Sequence, residues 1–333
     1  VVAGQLAAQR ASEQTRTAAR WLVDVNDLVH ALQAERYAVS SLVGSSYRAG
    51  EFVEQASTAA TEVEAAYERV SAGAATLPED SRHRVQDLVA TAHEKMQARG
   101  ELRTAVDQQT LRPGPGSVAY TEMIHAWLNA GASLTGVGSE DSELVRVATA
   151  LSAISWTAEE VSQQYGYLSA AIVLGSVVPD SAIRVQAAIG GEAARLNQFR
   201  ATATPEQIAL YEQVVTPPAQ QVAALRDQVL AGDAGQVSFT QWASVSGDKQ
   251  NALRTVEARI VADLESRSSE LASAAGRRAL LTALLVAVVV AVSAAVSVMV
   301  AARLVGALRA LQAGALRVAQ QRLPEGTATL RGG

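Results

Sequence analysis

Ser142–Leu174 reads SELVRVATALSAISWTAEEVSQQYGYLSAAIVL, and its spacing decides the fold class. Leu144, Val147, Leu151, Ile154, Ala158, Val161, Tyr165, Leu168 and Ile172 follow one another at steps of three and four. At 3.6 residues per turn such positions line one face of a helix. The stretch is therefore predicted to be a long central helix with an apolar face to bury.

The same pattern extends in both directions. Toward the N-terminus, Trp21, Val25, Leu28, Leu32 and Val39 mark a helix over Gln9–Tyr47, and one position breaks its stripe: Arg36 stands where a core residue is expected. A second helix is read over Glu51–Ser71. A third starts at Leu77-Pro78-Glu79-Asp80-Ser81, with proline and acids in its first turn, and reaches Val106. Arg112-Pro113-Gly114-Pro115-Gly116 is the strongest break. Toward the C-terminus, Val178-Pro179-Asp180-Ser181 is read as ending the central helix and capping the next, and Thr204-Pro205-Glu206-Gln207 as a capping box. A short helix follows Pro217-Pro218, and a turn is expected from Gly232 to Gly235. Leu253, Val256, Ile260, Leu264, Arg267 and Leu271 then mark a last helix, with no proline between Pro218 and Pro324. The predicted class is all-α.

Composition agrees. Aromatic residues make up 4% of the 333 residues and there are eight prolines, while alanine, leucine, glutamate, glutamine and arginine, all good helix formers, are plentiful. Without cysteine, disulfides and thiolate chemistry are excluded. His30, His83, His93 and His125 are not spaced as a helical zinc site requires. No nucleophile–base constellation or phosphate loop is visible, so neither an enzyme nor a cofactor is expected. Nucleic acid is not expected as a partner.

Ala279–Ala302 carries no charge and lies between Arg277-Arg278 and Arg303. At 1.5 Å per residue such a helix reaches about 36 Å, beyond the ~30 Å of a bilayer core. After it come Arg303, Arg309, Arg317, Arg322 and Arg331 against the single acid Glu325; the residues before it hold 23 basic and 32 acidic groups. The positive-inside bias predicts a cytoplasmic C-terminal end and an extracytoplasmic N-terminal region. Val1 in place of Met, and Arg331-Gly332-Gly333 without a closing element, lead us to expect a piece of a longer chain. Residues 1–8 would then be the tail of a first span, the alternative being a cleaved signal peptide. Past the span, Leu304, Leu308, Leu311, Ala315 and Val318 keep coiled-coil spacing, as a parallel homodimer would require; the alternative is a short amphipathic helix.

Three stretches together resemble the nitrate- and nitrite-sensing domain of bacterial receptors: Leu32-Gln33-Ala34-Glu35-Arg36, Ala119-Tyr120-Thr121-Glu122-Met123-Ile124, and Glu159-Glu160-Val161-Ser162-Gln163-Gln164-Tyr165-Gly166-Tyr167-Leu168. Residues 303–333 are similar to the start of a HAMP linker, although Ala307-Leu308 stands where Pro-Leu is usual and the second HAMP helix is absent. Near-exclusive use of arginine, with lysine only at Lys95 and Lys249, fits a GC-rich, actinobacterial genome. The resemblance implies an all-helical sensor of packed four-helix bundles over residues 9–276 that holds nitrate or nitrite between helices through arginines. A planar anion suits a planar guanidinium that donates two parallel hydrogen bonds.

Arg36 matches the family's first-helix arginine, and the alternative for it is to snorkel outward or to pair with a buried glutamate. Tyr165 stands where the family pattern has a second arginine, beside Gln164. A phenol brings no charge, so nitrate affinity is expected to fall ten- to a hundredfold, or another small anion to be the ligand. Arg103 is a further candidate for the pocket, with Arg195 or Arg200 facing it. Two functions remain open. One is a receptor that relays a helix shift to a histidine kinase or other cytoplasmic effector beyond Gly333. The other is a membrane-anchored interaction module with no small ligand.

Overall fold

The computed structural model describes residues 2–48, 50–112, 115–135 and 141–328, and no strand occurs among them. The helices are α1 Val2–Gly44, α2 Gly50–Thr76, α3 Glu79–Asp107, α4 Pro115–Ala132, α5 Ser142–Leu174, α6 Pro179–Thr202, α7 Pro205–Val214, α8 Thr216–Gln228 and α9 Phe239–Ala328. Pro113 and Gly114, in the expected break, lie outside the described residues.

Local chemistry explains most boundaries. Asp141 caps α5 by accepting from the Leu144 amide, and Thr204 and Gln207 form the reciprocal capping box of α7. One expectation is corrected. α5 ends before Val178, at Gly175, whose left-handed φ of 71° lets its amide reach the carbonyls of Ala171 and Ile172. α6 begins at Pro179 with Val178 as its N-cap and no side-chain cap; Asp180 contributes only its charge to the first turn. Gly232, with φ 107°, bends the turn between α8 and α9.

Residues 8–273 form one unit. α1–α4 share a core of Trp21, Leu28 and Leu32 with Val63, Val70, Val85, Met123 and Trp127. α5–α8 and the first part of α9 share a second, of Leu151, Ile154, Phe199, Tyr211, Val256 and Ile260, continued by Leu168, Val185, Val222 and Trp242. Each large side chain so buried contributes about 1.5–3 kcal/mol. α1 and α5 serve both halves, since Trp156 belongs to the first core and Ala19 to the second.

Residues 1–7 and 274–333 form the other unit. Leu280–Arg317 is long and apolar enough to cross a membrane, with mean hydropathy 2.8 and none of its apolar window buried. The helix carries on through Pro324 to Ala328. The proline nitrogen has no hydrogen to give the Gln320 carbonyl, so one helical bond is forfeited there. Residues 329–333 lie outside the described residues.

Candidate functional site

α5 is buried on most of its circumference, so any polar side chain it turns inward must find a partner or leave an unpaired group in the core. Glu159 is such a residue, with no exposed surface, and its partner is Arg36 from α1, 3% exposed. The guanidinium donates Nη1 to Glu159 Oε1 and Nη2 to Oε2, both at 2.8 Å, a two-pronged ion pair. Gln33 Nε2 donates to Oε2 at 3.1 Å and Gln163 Nε2 to Oε1 at 3.0 Å. Arg36 also donates to Thr121 Oγ1 on α4 at 2.8 Å and to Ser162 Oγ at 2.7 Å. The result is a cage in which four N–H donors surround the two oxygens of one carboxylate.

Of the alternatives for Arg36, the structure has the pairing with a buried glutamate. The other candidates do not join it. Tyr165, one turn along α5, stacks on Tyr37 at 4.7 Å, lies parallel to Trp242 at 6.2 Å and meets Ser41 Oγ at 3.3 Å. Burial pushes its phenol up from the ordinary range. Gln164 donates to Glu192 Oε2 at 2.7 Å, and Glu192 accepts from the buried Lys249 of α9 at 2.6 Å. Arg103 pairs with Glu35 at 3.2 Å, beside Arg99, which holds the same carboxylate at 2.8 Å. Arg195 lies over the Trp156 ring at 4.8 Å, and Arg200 pairs with Glu212.

Sequence reasoning missed Glu159, Thr121, Ser162, Gln33 and Gln163 as members of the cage. A usable signal was present: Ser155, Glu159 and Ser162 run at helical spacing directly beside the apolar stripe of Ile154, Ala158 and Val161, which marks a polar strip needing partners. His125 lies 3.8 Å from Glu159 Oε1. Burial holds its imidazole below the ordinary range, with Glu159 pulling upward and Arg36 and Arg195 downward. A cleft of about 620 Å³ lies elsewhere, lined by α1, α2 and α9 residues including Glu54, Glu62, Gln250 and Arg254. It contains no member of the cage, and an anion site is defined by converging donors rather than by volume.

Glu160, next to the cage, packs over Gly191, where a Cβ would fall 2.5 Å from its carboxyl. Burial, then the neighbouring Glu159, raises its pKa to about 7, with Arg195 opposing and Glu192 adding. A carboxyl whose pKa rises on folding stabilises the fold below its unfolded value of 4.5 and loses that contribution as pH rises through 7. Glu160→Gln should therefore raise the Tm relative to wild type at pH 8, with the difference vanishing near pH 4 in thermal melts. An equal difference at both pH values would exclude this titration as the cause.

A family model described as nitrate and nitrite sensing matches residues 27–265. Among solved structures, that of the NasR transcription antiterminator is similar in fold, with TM-score 0.73 and 18% identity over 79% of this chain and 72% of that one. No curated protein matches the sequence.

Proposed function

Since the chain belongs to the nitrate- and nitrite-sensing family, we propose that it is the sensor region of a transmembrane signalling receptor, in which Arg36 recognises a small planar oxyanion, nitrate or nitrite. The observation that carries this reading is the buried Arg36 guanidinium, aimed with two N–H groups at the oxygens of a planar anionic group. Binding at this point bears on α1, α4 and α5 together, because Arg36, Thr121 and Ser162 come from those three helices. α9, in contact with α1 through His30–Glu257 and with α6 through Lys249–Glu192, carries the change to the span. Arg36 brings the one positive charge among the cage's donors, the other two being glutamine amides, so the affinity is modest.

The test is calorimetric titration of the whole chain in nanodiscs with sodium nitrate and sodium nitrite. Wild type should bind both, Arg36→Lys should bind ten- to a hundredfold more weakly because a point charge replaces the fork, and Arg36→Ala should not bind. Binding that survives Arg36→Ala would move the site elsewhere. One observation favours a second reading: Glu159 already satisfies Arg36, as a purely structural ion pair would, and the chain would then be an anchored interaction module. No anion binding by folded wild type would select that reading.

In the receptor reading, residues 9–276 are the extracytoplasmic sensor, 279–302 the span, and 303–333 the start of a HAMP linker leading to a kinase or other effector. Residues 1–8 are the end of a preceding span, and the receptor is a parallel homodimer. The cysteine-free sequence makes the layout testable with single cysteines. A cysteine at Gly232 should react with a membrane-impermeant maleimide in intact cells and one at Gly314 should not. Disulfides between subunits should recur every three to four positions from Leu253 to Leu271. The reverse labelling would invert the topology, and crosslinking without periodicity would remove the dimeric helix.

A further inference from the structure

The cage around Glu159 is built for a group that Glu159 itself only represents. A carboxylate, nitrite and nitrate share one recognition element: a planar trigonal or bent centre with two coplanar, equivalent oxygens and a delocalised negative charge. The donors are Arg36 Nη1 and Nη2 at 2.8 Å, Gln163 Nε2 at 3.0 Å and Gln33 Nε2 at 3.1 Å, and they read those two oxygens and nothing further along the side chain. What enforces carboxylate over the external anions is the covalent tether to α5.

We propose that Glu159 is a tethered ligand of the Arg36 site: a specificity-determining carboxylate that nitrite, nitrate or another planar oxyanion must displace in order to bind. The proposal rests on the reading of Arg36 as the anion site. Arg36 and Glu159 together leave 3% and none of their surface exposed, so an incoming anion finds the donors free only after the carboxylate has left. The apparent dissociation constant is then the intrinsic one divided by the fraction of molecules in which Glu159 is withdrawn. Because a side chain on a packed helix acts at high effective concentration, that fraction is small. The tether thus makes the sensor respond only at high anion concentrations. It also makes binding mechanical, since the displaced carboxylate must be accommodated by a change in α5 against α1.

The experiment compares wild type, Glu159→Ala, Glu159→Gln and Glu159→Ala/Arg36→Met, each as the whole chain in nanodiscs, titrated with nitrite, nitrate and formate at constant ionic strength. Glu159→Ala should bind all three at least tenfold more tightly than wild type, a change of about 1.4 kcal/mol, and the double variant should bind none. The thermal midpoint of Glu159→Ala should rise with added formate, as the free anion replaces the missing carboxylate. If Glu159→Ala folds only when an anion is added, that also supports the proposal. If it does not fold in any condition, Glu159→Gln, which keeps the shape and an acceptor but not the charge, must show a gain of at least threefold. No gain in a folded variant overturns the proposal. Tight binding by wild type with no gain in Glu159→Ala would leave Arg36 as the sensing site and remove the tether. Binding by Glu159→Ala with none by wild type would keep the tether and end the sensing role of the wild-type protein.

Discussion

Arg36→Met should lose roughly 3–5 kcal/mol of stability, because it strands the Glu159 carboxylate in the core without its cation. Glu159 has no exposed surface, and the two glutamine donors left to it bring no charge. In a unit of this size each kcal/mol moves the thermal midpoint by about 2–4 °C, so the shift is large enough to read directly by circular dichroism. The double variant Arg36→Met/Glu159→Met should recover at least half of the loss, since removing both charges leaves only neutral polar groups short of a partner. A single variant as stable as wild type would mean that the pair is not formed in the folded protein. The same measurement protects the binding test, because loss of anion binding by an Arg36 variant counts only in protein shown to be folded.

Trp21→Ala should cost a similar roughly 3–5 kcal/mol by a different route, the opening of a cavity. The indole is 1% exposed, and its Nε1 donates to the Val70 carbonyl at 3.0 Å, tying α1 to α2. Gly73 is the close approach that makes room for it, since a Cβ there would lie 2.9 Å from Trp21 Cδ1, an atom of a rigid ring. Trp21 is fifteen residues from Arg36 on the same helix, about 22 Å at 1.5 Å per residue. Sites so far apart behave additively, so the folded fraction of Trp21→Ala should keep the wild-type anion affinity. A cost below 1 kcal/mol would show that the first core does not depend on this residue; altered affinity in folded protein would show that Trp21 and the Arg36 site are coupled.

Much of the fold was legible because helices are local. The stripe from Leu144 to Ile172 matched α5 from Ser142 to Leu174, and Thr204 with Gln207 formed the capping box that their spacing implied. The pattern's end at Leu174 held too, and what the structure adds is the device that ends the helix, Gly175 at φ 71°, ahead of the Val178-Pro179 stop. Arg36 was legible as a buried charge in need of a partner, because a charge on an apolar stripe has no solvent to turn to. Its partner was not.

What the sequence determined by itself, then, is whatever depends on neighbours a few residues away: the helical class, most caps, the apolar stretch and the anomaly of Arg36 on a buried face. Only the tertiary structure decided which groups meet. Arg36 and Glu159 are 123 positions apart, and four side chains assigned from the sequence to one pocket went to separate partners: Arg36 to Glu159, Arg103 to Glu35, Gln164 to Glu192 and Tyr165 to Tyr37. The reason is geometric. Spacing along a helix tells which side a residue faces, whereas the partner opposite depends on how two helices are rotated and slid against each other, and that is set by the packing of the whole bundle.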